Sequence, residues 1–315
     1  MTRASDRFSW FFDQALTLAS LAHEGVSRKD SAVPYIVHPV HVARLLARHG
    51  FSEEVILAGL LHDVLEDAKF GDASFQAALQ ETFSEFADTE ASEVAFRRAT
   101  ESFMADKFGP NVLEMVRSVT ETRREGSLKR PWQVRKDEQL RRISTMTSDQ
   151  AALKSADVLH NAQSVLRDVL RDGLAALRRF DCSAEETLWY YGAVADGLRE
   201  INRGRPLFLE LEVAVFELTK VVTRLLLAVA ATPRCSLCGA LSTEAVQGAG
   251  TQADTVLMMT NASGQPIASL AHWFAESDDS LEKFTKAEFD PMPTLDDFDA
   301  MLETAGASDH TKVRR

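Results

Sequence analysis

Apolar positions recur at helical spacing through most of the first two hundred residues. Phe8, Phe11, Phe12, Ala15, Leu16, Ala19 and Ala22 fall on one face and predict an amphipathic helix. A second helix is bounded by Pro39 near its start and Gly50 at its end, which puts His38 at a helix N-terminus. Ser52 can cap a third, carrying Val55, Ile56, Leu57, Leu60, Leu61 and Val64 and running into Glu66 and Asp67. Thr147 with Gln150, and Ser183 with Glu186, match the capping-box pattern ahead of two further apolar-periodic runs. Strand-like alternation of useful length is missing, so residues 1–204 read as an all-α domain.

From Pro206 to Ala231 the apolar residues fall at 207, 211, 215, 218, 222, 225 and 229, and Phe208, Phe216 and Leu226 widen the stripe. Such a face must be covered by the first domain or by a partner chain, and a homodimer through the 206–231 helix is expected. The pattern changes after Pro233. Val256 to Leu270 suggests two short strands around the turn Asn261-Ala-Ser-Gly264. The expected organisation is therefore a helical domain over 1–204, an amphipathic helix over 205–232, and a small, acidic, partly disordered α+β extension over 233–315.

Charge narrows the partners. The 315 residues include 35 Lys and Arg against 47 Asp and Glu, a net of −12, which disfavours duplex nucleic acid bound through a broad basic face. Residues 231–315 contribute six basic and thirteen acidic residues, or −7 of that total. A small cation-lined pocket for an anion remains compatible with this balance. Three cysteines are too few for a disulfide framework, and the start of the chain lacks a signal-peptide pattern. Leu207 to Ala231 carries Glu210, Glu212, Glu217, Lys220 and Arg224, which oppose membrane insertion, so a cytoplasmic protein is expected.

The densest chemistry lies at His62, Asp63, Glu66 and Asp67, at the end of an otherwise apolar helix. The i, i+4 spacing of His62 to Glu66 and of Asp63 to Asp67 would turn all four toward one end of a cleft. A His-Asp pair alone reads as a solvated helix end. Its weight comes from His38 and from Asp157, two more ligand-type residues flanked by apolar neighbours. Two imidazoles and two carboxylates with open positions for water suit Mn²⁺, Fe²⁺ or Zn²⁺.

Arg28-Lys29, Pro34-Tyr35-Ile-Val-His38-Pro39, Leu61-His62-Asp63-Val-Leu-Glu66-Asp67, Phe108-Gly109, Val119-Thr120-Glu121 and Lys154-Ser-Ala-Asp157-Val-Leu-His160-Asn161 occur in a fixed order. Over about residues 8–200 this order resembles the hydrolase domain of RelA/SpoT-type proteins and the small alarmone hydrolases, including metazoan SpoT homologues. These are HD-domain phosphohydrolases with a helical-bundle fold. The resemblance implies that His38, His62, Asp63 and Asp157 hold a metal, usually Mn²⁺, and that Glu66 and Asp67 orient and activate the attacking water. It implies that Arg28 and Lys29 meet the guanine nucleotide, while Asn161 and Ser164 face the nucleoside. The implied reaction is removal of the 3′-pyrophosphate from ppGpp or pppGpp, the alarmones of the stringent response.

That chemistry agrees with the residue types, because a polyanionic ester needs charge neutralisation and a water that can be deprotonated near neutral pH. Two other readings stand beside it. One is an HD phosphohydrolase acting on NADPH or on a 3′-pyrophosphorylated nucleic-acid end. The other is a non-catalytic alarmone-binding or antitoxin-like regulator, which would have no need of Glu66 and Asp67. Lys129, Arg130, Arg135 and Lys136 read as a mostly solvated basic run, and His41 and His49 as surface or supporting residues. A segment around 83–105 is long for the family and reads as helical. Cys235 and Cys238 have half the spacing of a structural Zn²⁺ site, with His272 as a third candidate ligand, against two ordinary thiols in a turn.

Overall fold

In the computed structural model, which describes residues 9–29, 31–86, 92–125 and 128–231, the architecture is all-α. Helix α1 (Trp10–Ala22) starts at Ser9, whose hydroxyl accepts the Phe11 N–H, and buries Ala15, Leu18, Ala19 and Ala22. An isolated antiparallel bridge between Ser27 and Pro34 then closes the loop that carries Arg28 and Lys29. Helix α2 (Val37–Arg48) begins two residues before Pro39. The proline thus falls in the first turn, where a missing N–H breaks no helical bond.

Helix α3 (Glu53–Leu61) is buried on all sides from Val55 onward and forms the centre of the bundle. A Cβ on Gly59 would stand 2.8 Å from Leu46 Cδ1 and 3.2 Å from the Ala43 Cα, so α2 and α3 pack closer than a larger residue allows. The continuous helix expected through Asp67 breaks at His62 and Asp63, leaving α4 (Val64–Asp67) as a single turn. The break has a local cause. His62 Nδ1 lies 2.8 Å from the Gly59 carbonyl, the acceptor that an unbroken helix would give to the Asp63 amide.

Helix α5 (Ala73–Thr82) precedes the long segment noted in the sequence, and α6 (Glu93–Phe108) forms most of it. Together with the residues around α5 it packs as an aromatic satellite core of Phe70, Phe75, Phe83, Phe86, Phe96, Phe103 and Phe108, with ring centroids 4.9 Å apart for Phe83 and Phe103. Helix α7 (Pro110–Val119) follows Gly109, whose φ of 99° suits only glycine. A two-residue antiparallel pair, β1 (Arg124–Glu125) and β2 (Leu128–Lys129), adds a hairpin that the sequence pattern did not announce. Helix α8 (Trp132–Ile143) leads to α9 (Ser148–Asp172), whose residues 150–160 are all buried. A 3₁₀ segment (Gly173–Arg179), α10 (Ala184–Asn202) and α11 (Pro206–Ala231) complete the described chain. Both expected capping boxes form, at Thr147 with Gln150 and at Ser183 with Glu186.

Helix α11 packs on α9 and α10 and buries Leu207, Phe208, Leu211, Ala214, Val215, Leu218 and Val222. Glu210 anchors it to the end of α2 through Arg48 and through His49 at 3.1 Å. The cover that the apolar stripe demands is supplied inside the chain as far as Val222, so this face does not require the expected homodimer. No helix among the described residues is long and apolar enough to cross a membrane. The expected C-terminal strands, the Cys235 and Cys238 pair and His272 lie outside the described residues.

Candidate metal centre

Three side chains, those of His38, His62 and Asp157, bring one donor atom each within 4.8 Å of one another, and Asp63 approaches the two histidines beside them. His38 comes from the first turn of α2, His62 and Asp63 from the break between α3 and α4, and Asp157 from the buried middle of α9. His38 Nε2 lies 3.2 Å from His62 Nε2, 3.5 Å from Asp63 Oδ2 and 3.4 Å from Asp157 Oδ1. His62 Nε2 is 3.2 Å from Asp63 Oδ2 and 3.9 Å from Asp157 Oδ1. Ligands about 2.1 Å from a shared cation stand about 3.0 Å apart at right angles and about 3.4 Å apart in a tetrahedron. The separations of 3.2–3.5 Å fall close to those values, and the 3.9 Å between His62 and Asp157 is longer.

The donor chemistry fits a divalent cation. With its Nδ1 hydrogen on the Gly59 carbonyl, His62 presents an Nε2 lone pair to the cluster, a tautomer assigned from the bonding pattern. Asp157 Oδ1 and Asp63 Oδ2 each approach the Nε2 atoms of both histidines. Burial works against charge on His62, yet Asp63, Asp157 and the Gly59 carbonyl together lift its pKa to about 9. Burial would likewise raise both carboxyl pKa values, but His62 beside Asp63 and Lys154 beside Asp157 hold them well below the usual range. The cluster therefore demands positive charge at its centre, which a bound metal supplies without a proton.

Supporting contacts orient these groups. Tyr35 donates its hydroxyl to Asp63 Oδ2 at 2.8 Å, and Lys154 donates to Asp157 Oδ2 at 3.0 Å from a buried position. Asn161, one turn beyond Asp157, donates to Asp157 Oδ1 at 2.7 Å and accepts from Arg28 Nη2 at 2.9 Å. Two of the expected nucleotide-facing residues are thus joined at the edge of the cluster. Lys29 instead lies over the Phe180 ring, 5.6 Å from its centroid, and Ser164 accepts from Arg167 at 3.3 Å. Neither touches the four-residue cluster through these contacts.

Glu66 and Asp67 form a second group beside it. Glu66 Oε2 accepts the Glu121 N–H at 2.8 Å, and Arg123 forks across the pair, reaching Glu66 Oε1 with one nitrogen and Asp67 Oδ1 with the other at 2.5 Å. Burial raises the Glu66 pKa to about 7 against the opposing pull of Arg123, with Asp63 and Asp67 adding to the rise. Asp67 is raised by burial and by Asp63. A carboxylate tuned to that range can take up a proton near neutral pH.

Several of these residues escaped the sequence reading. Arg123 sits in an aperiodic loop with only its distance from Thr120-Glu121 to mark it. Tyr35 and Lys154 stood inside quoted motifs without an assigned role. The basic run is less solvated than expected at Arg135 and Lys136, which pair with buried Glu121, and at Arg130, which pairs with Glu138, whereas Lys129 pairs with Asp181 at the surface. His49 is nearly buried in its pair with Glu210.

A family model described as HD domain matches residues 15–177, more than half of the chain. A guanosine-3′,5′-bis(diphosphate) 3′-pyrophosphohydrolase of Vibrio cholerae is 37% identical over 108 residues, covering 34% of this chain and 15% of that protein. A putative chloroplastic GTP diphosphokinase of Oryza sativa is 53% identical over 57 residues, covering 18% of this chain and 6% of that protein. The chain spans 15% or less of the length of these two curated relatives. Among solved structures, a metazoan ortholog of SpoT described as hydrolysing ppGpp is 26% identical, with 67% of this chain and 95% of that one covered at a TM-score of 0.45.

Proposed function

This chain belongs to the HD-domain family, and from that premise we propose that it is a metal-dependent 3′-pyrophosphohydrolase of ppGpp or pppGpp. Water and the alarmone give pyrophosphate and GDP or GTP. The observation that carries the reading is the juxtaposition of His38, His62 and Asp157, with Asp63 beside the two histidines, and a proton-accepting pair, Glu66 and Asp67. A centre built only to hold a nucleotide has no use for a carboxylate poised near pH 7. The substrate class follows that of the Vibrio relative, a guanosine-3′,5′-bis(diphosphate) 3′-pyrophosphohydrolase.

His38, His62, Asp63 and Asp157 would hold the cation, with Mn²⁺ the proposed ion. When bound, it neutralises phosphate charge and acidifies water. Glu66 would accept the proton of the attacking water, while its bond from the Glu121 amide fixes one oxygen and leaves the other to Arg123. Asp67 shares the guanidinium and holds the pair in register. Arg28, bonded to Asn161 and 5.5 Å from the Tyr35 ring centroid, would meet a base or phosphate, and Lys29 would add charge beside it.

A nucleotide panel tests the assignment. With Mn²⁺, the protein should convert ppGpp to GDP and pyrophosphate, resolved by ion-exchange chromatography. Intact ppGpp alongside cleavage of NADPH or of a 3′-pyrophosphorylated oligonucleotide would move the substrate elsewhere, and tight ppGpp binding without turnover would favour a regulator.

A further inference from the structure

We propose that His160 is a positioning residue that fixes the tautomer of the metal-facing histidine His38; the inference rests on the metal-centre reading above, not on the choice of nucleotide. Both side chains are buried, and their Nδ1 atoms approach to 2.6 Å. The ring centroids lie 4.9 Å apart with 28° between their planes, so the rings meet end to end through these two nitrogens. His160 lies on α9 three residues after Asp157, so one helix face delivers both a carboxylate to the cluster and a brace to its neighbour.

Proton counting sets the direction of this bond. Two imidazole Nδ1 atoms at hydrogen-bond distance share one hydrogen. His38 Nε2 points into the cluster, 3.2 Å from His62 Nε2 and 3.4 Å from Asp157 Oδ1, and must keep its lone pair to bind a cation. A neutral His38 then carries its hydrogen on Nδ1 and donates it to His160. His160 in turn is the Nε2–H tautomer, with His41 stacked against it at 4.4 Å. The two metal-facing histidines are therefore oriented by different means: His62 by a backbone carbonyl, and His38 by a side chain that one substitution removes.

Replacing His160 by Phe keeps a ring in the space and deletes the acceptor. His38 must then bury an unpaired Nδ1–H or move its hydrogen to Nε2, where it blocks the cation. Asn restores an oxygen near the former Nδ1 position. By calorimetry on the full chain, with chelator competition, His160→Phe should weaken Mn²⁺ binding about 10–100-fold and His160→Asn should recover most of the loss. Nitrogen-15 NMR of the wild-type chain loaded with diamagnetic Zn²⁺ should show His38 protonated at Nδ1 and His160 at Nε2, and this reading does not depend on any variant folding. Wild-type Mn²⁺ affinity in a folded His160→Phe chain, or the reversed pair of tautomers, overturns the proposal. A wild-type chain that binds no divalent cation overturns it together with the metal reading, whereas failure to cleave ppGpp leaves it standing.

Discussion

Arg123 Nη1 lies 2.5 Å from Asp67 Oδ1 while the same guanidinium pairs with Glu66, so one exposed arginine governs both proposed water-activating carboxylates. Burial raises both acids and Arg123 opposes it. As the proposed base, Glu66 works only when ionised, so activity should fall as pH drops through about 7. Arg123→Gln removes the opposing charge and should move that acidic limb to higher pH, and Arg123→Lys should move it less. Glu66→Gln should lower kcat about 10²–10⁴-fold, the usual worth of general-base catalysis. A kcat-against-pH profile of each variant checks the direction.

Asp63 and Asp157 should fail differently when removed. Asp63→Ala should abolish turnover and leave the fold standing, because the Tyr35 hydroxyl it strands is an uncharged group. Asp157→Ala also strands buried Lys154, and losing one member of a buried ion pair costs about 3–5 kcal/mol. Thermal unfolding of the two variants should therefore show a clearly larger loss for Asp157→Ala. Equal melting temperatures would mean that Lys154 finds another partner.

Gly59 holds α2 and α3 at the spacing that brings His38 to His62. A methyl group there meets Leu46 Cδ1 at 2.8 Å, which can swing away, and the Ala43 backbone at 3.2 Å, which cannot. Gly59→Ala should destabilise the chain by about 1–3 kcal/mol through overpacking. It should also weaken metal binding, since α3 must retreat from α2. Denaturant unfolding and a Mn²⁺ titration on the same variant test both halves.

Helix α11 should behave as part of the single-chain core. Leu218 is fully buried, and Leu218→Ala should cost about 2–5 kcal/mol at every protein concentration. A loss that shrinks as concentration rises would instead place a second copy against this face. Its anchor should be acid-sensitive. Burial tends to raise the Glu210 pKa, but the His49 bond and the Arg48 charge outweigh it and depress the value. That contribution is present above the ordinary carboxyl range and disappears as pH falls through the depressed value. Glu210→Gln should flatten this acid limb of the stability profile.

Much of this was visible along the chain because it is local. Capping boxes at Thr147 and Ser183 need only residues within one turn, and both form. His38, His62, Asp63 and Asp157 stood out as ionisable residues in apolar surroundings, and the structure brings them together. The break at His62 was hidden, because both junction residues keep right-handed helical dihedrals and the apolar period runs on unchanged. The forked Arg123 and the pairing of Glu121 with Arg135 and Lys136 were hidden for another reason. They depend on which loop lies over which helix, and charge patterning along a sequence carries no such information.

The most direct test of the central claim is pyrophosphate release from ppGpp by chelator-stripped protein as Mn²⁺ is returned stepwise. No release is expected before metal is added, then a rise to a plateau at about one equivalent per chain, the stoichiometry of a single four-ligand site. Asp63→Ala should stay silent throughout. Undiminished release by the stripped protein or by Asp63→Ala, or no release from the folded wild-type chain at any metal level, would contradict the account.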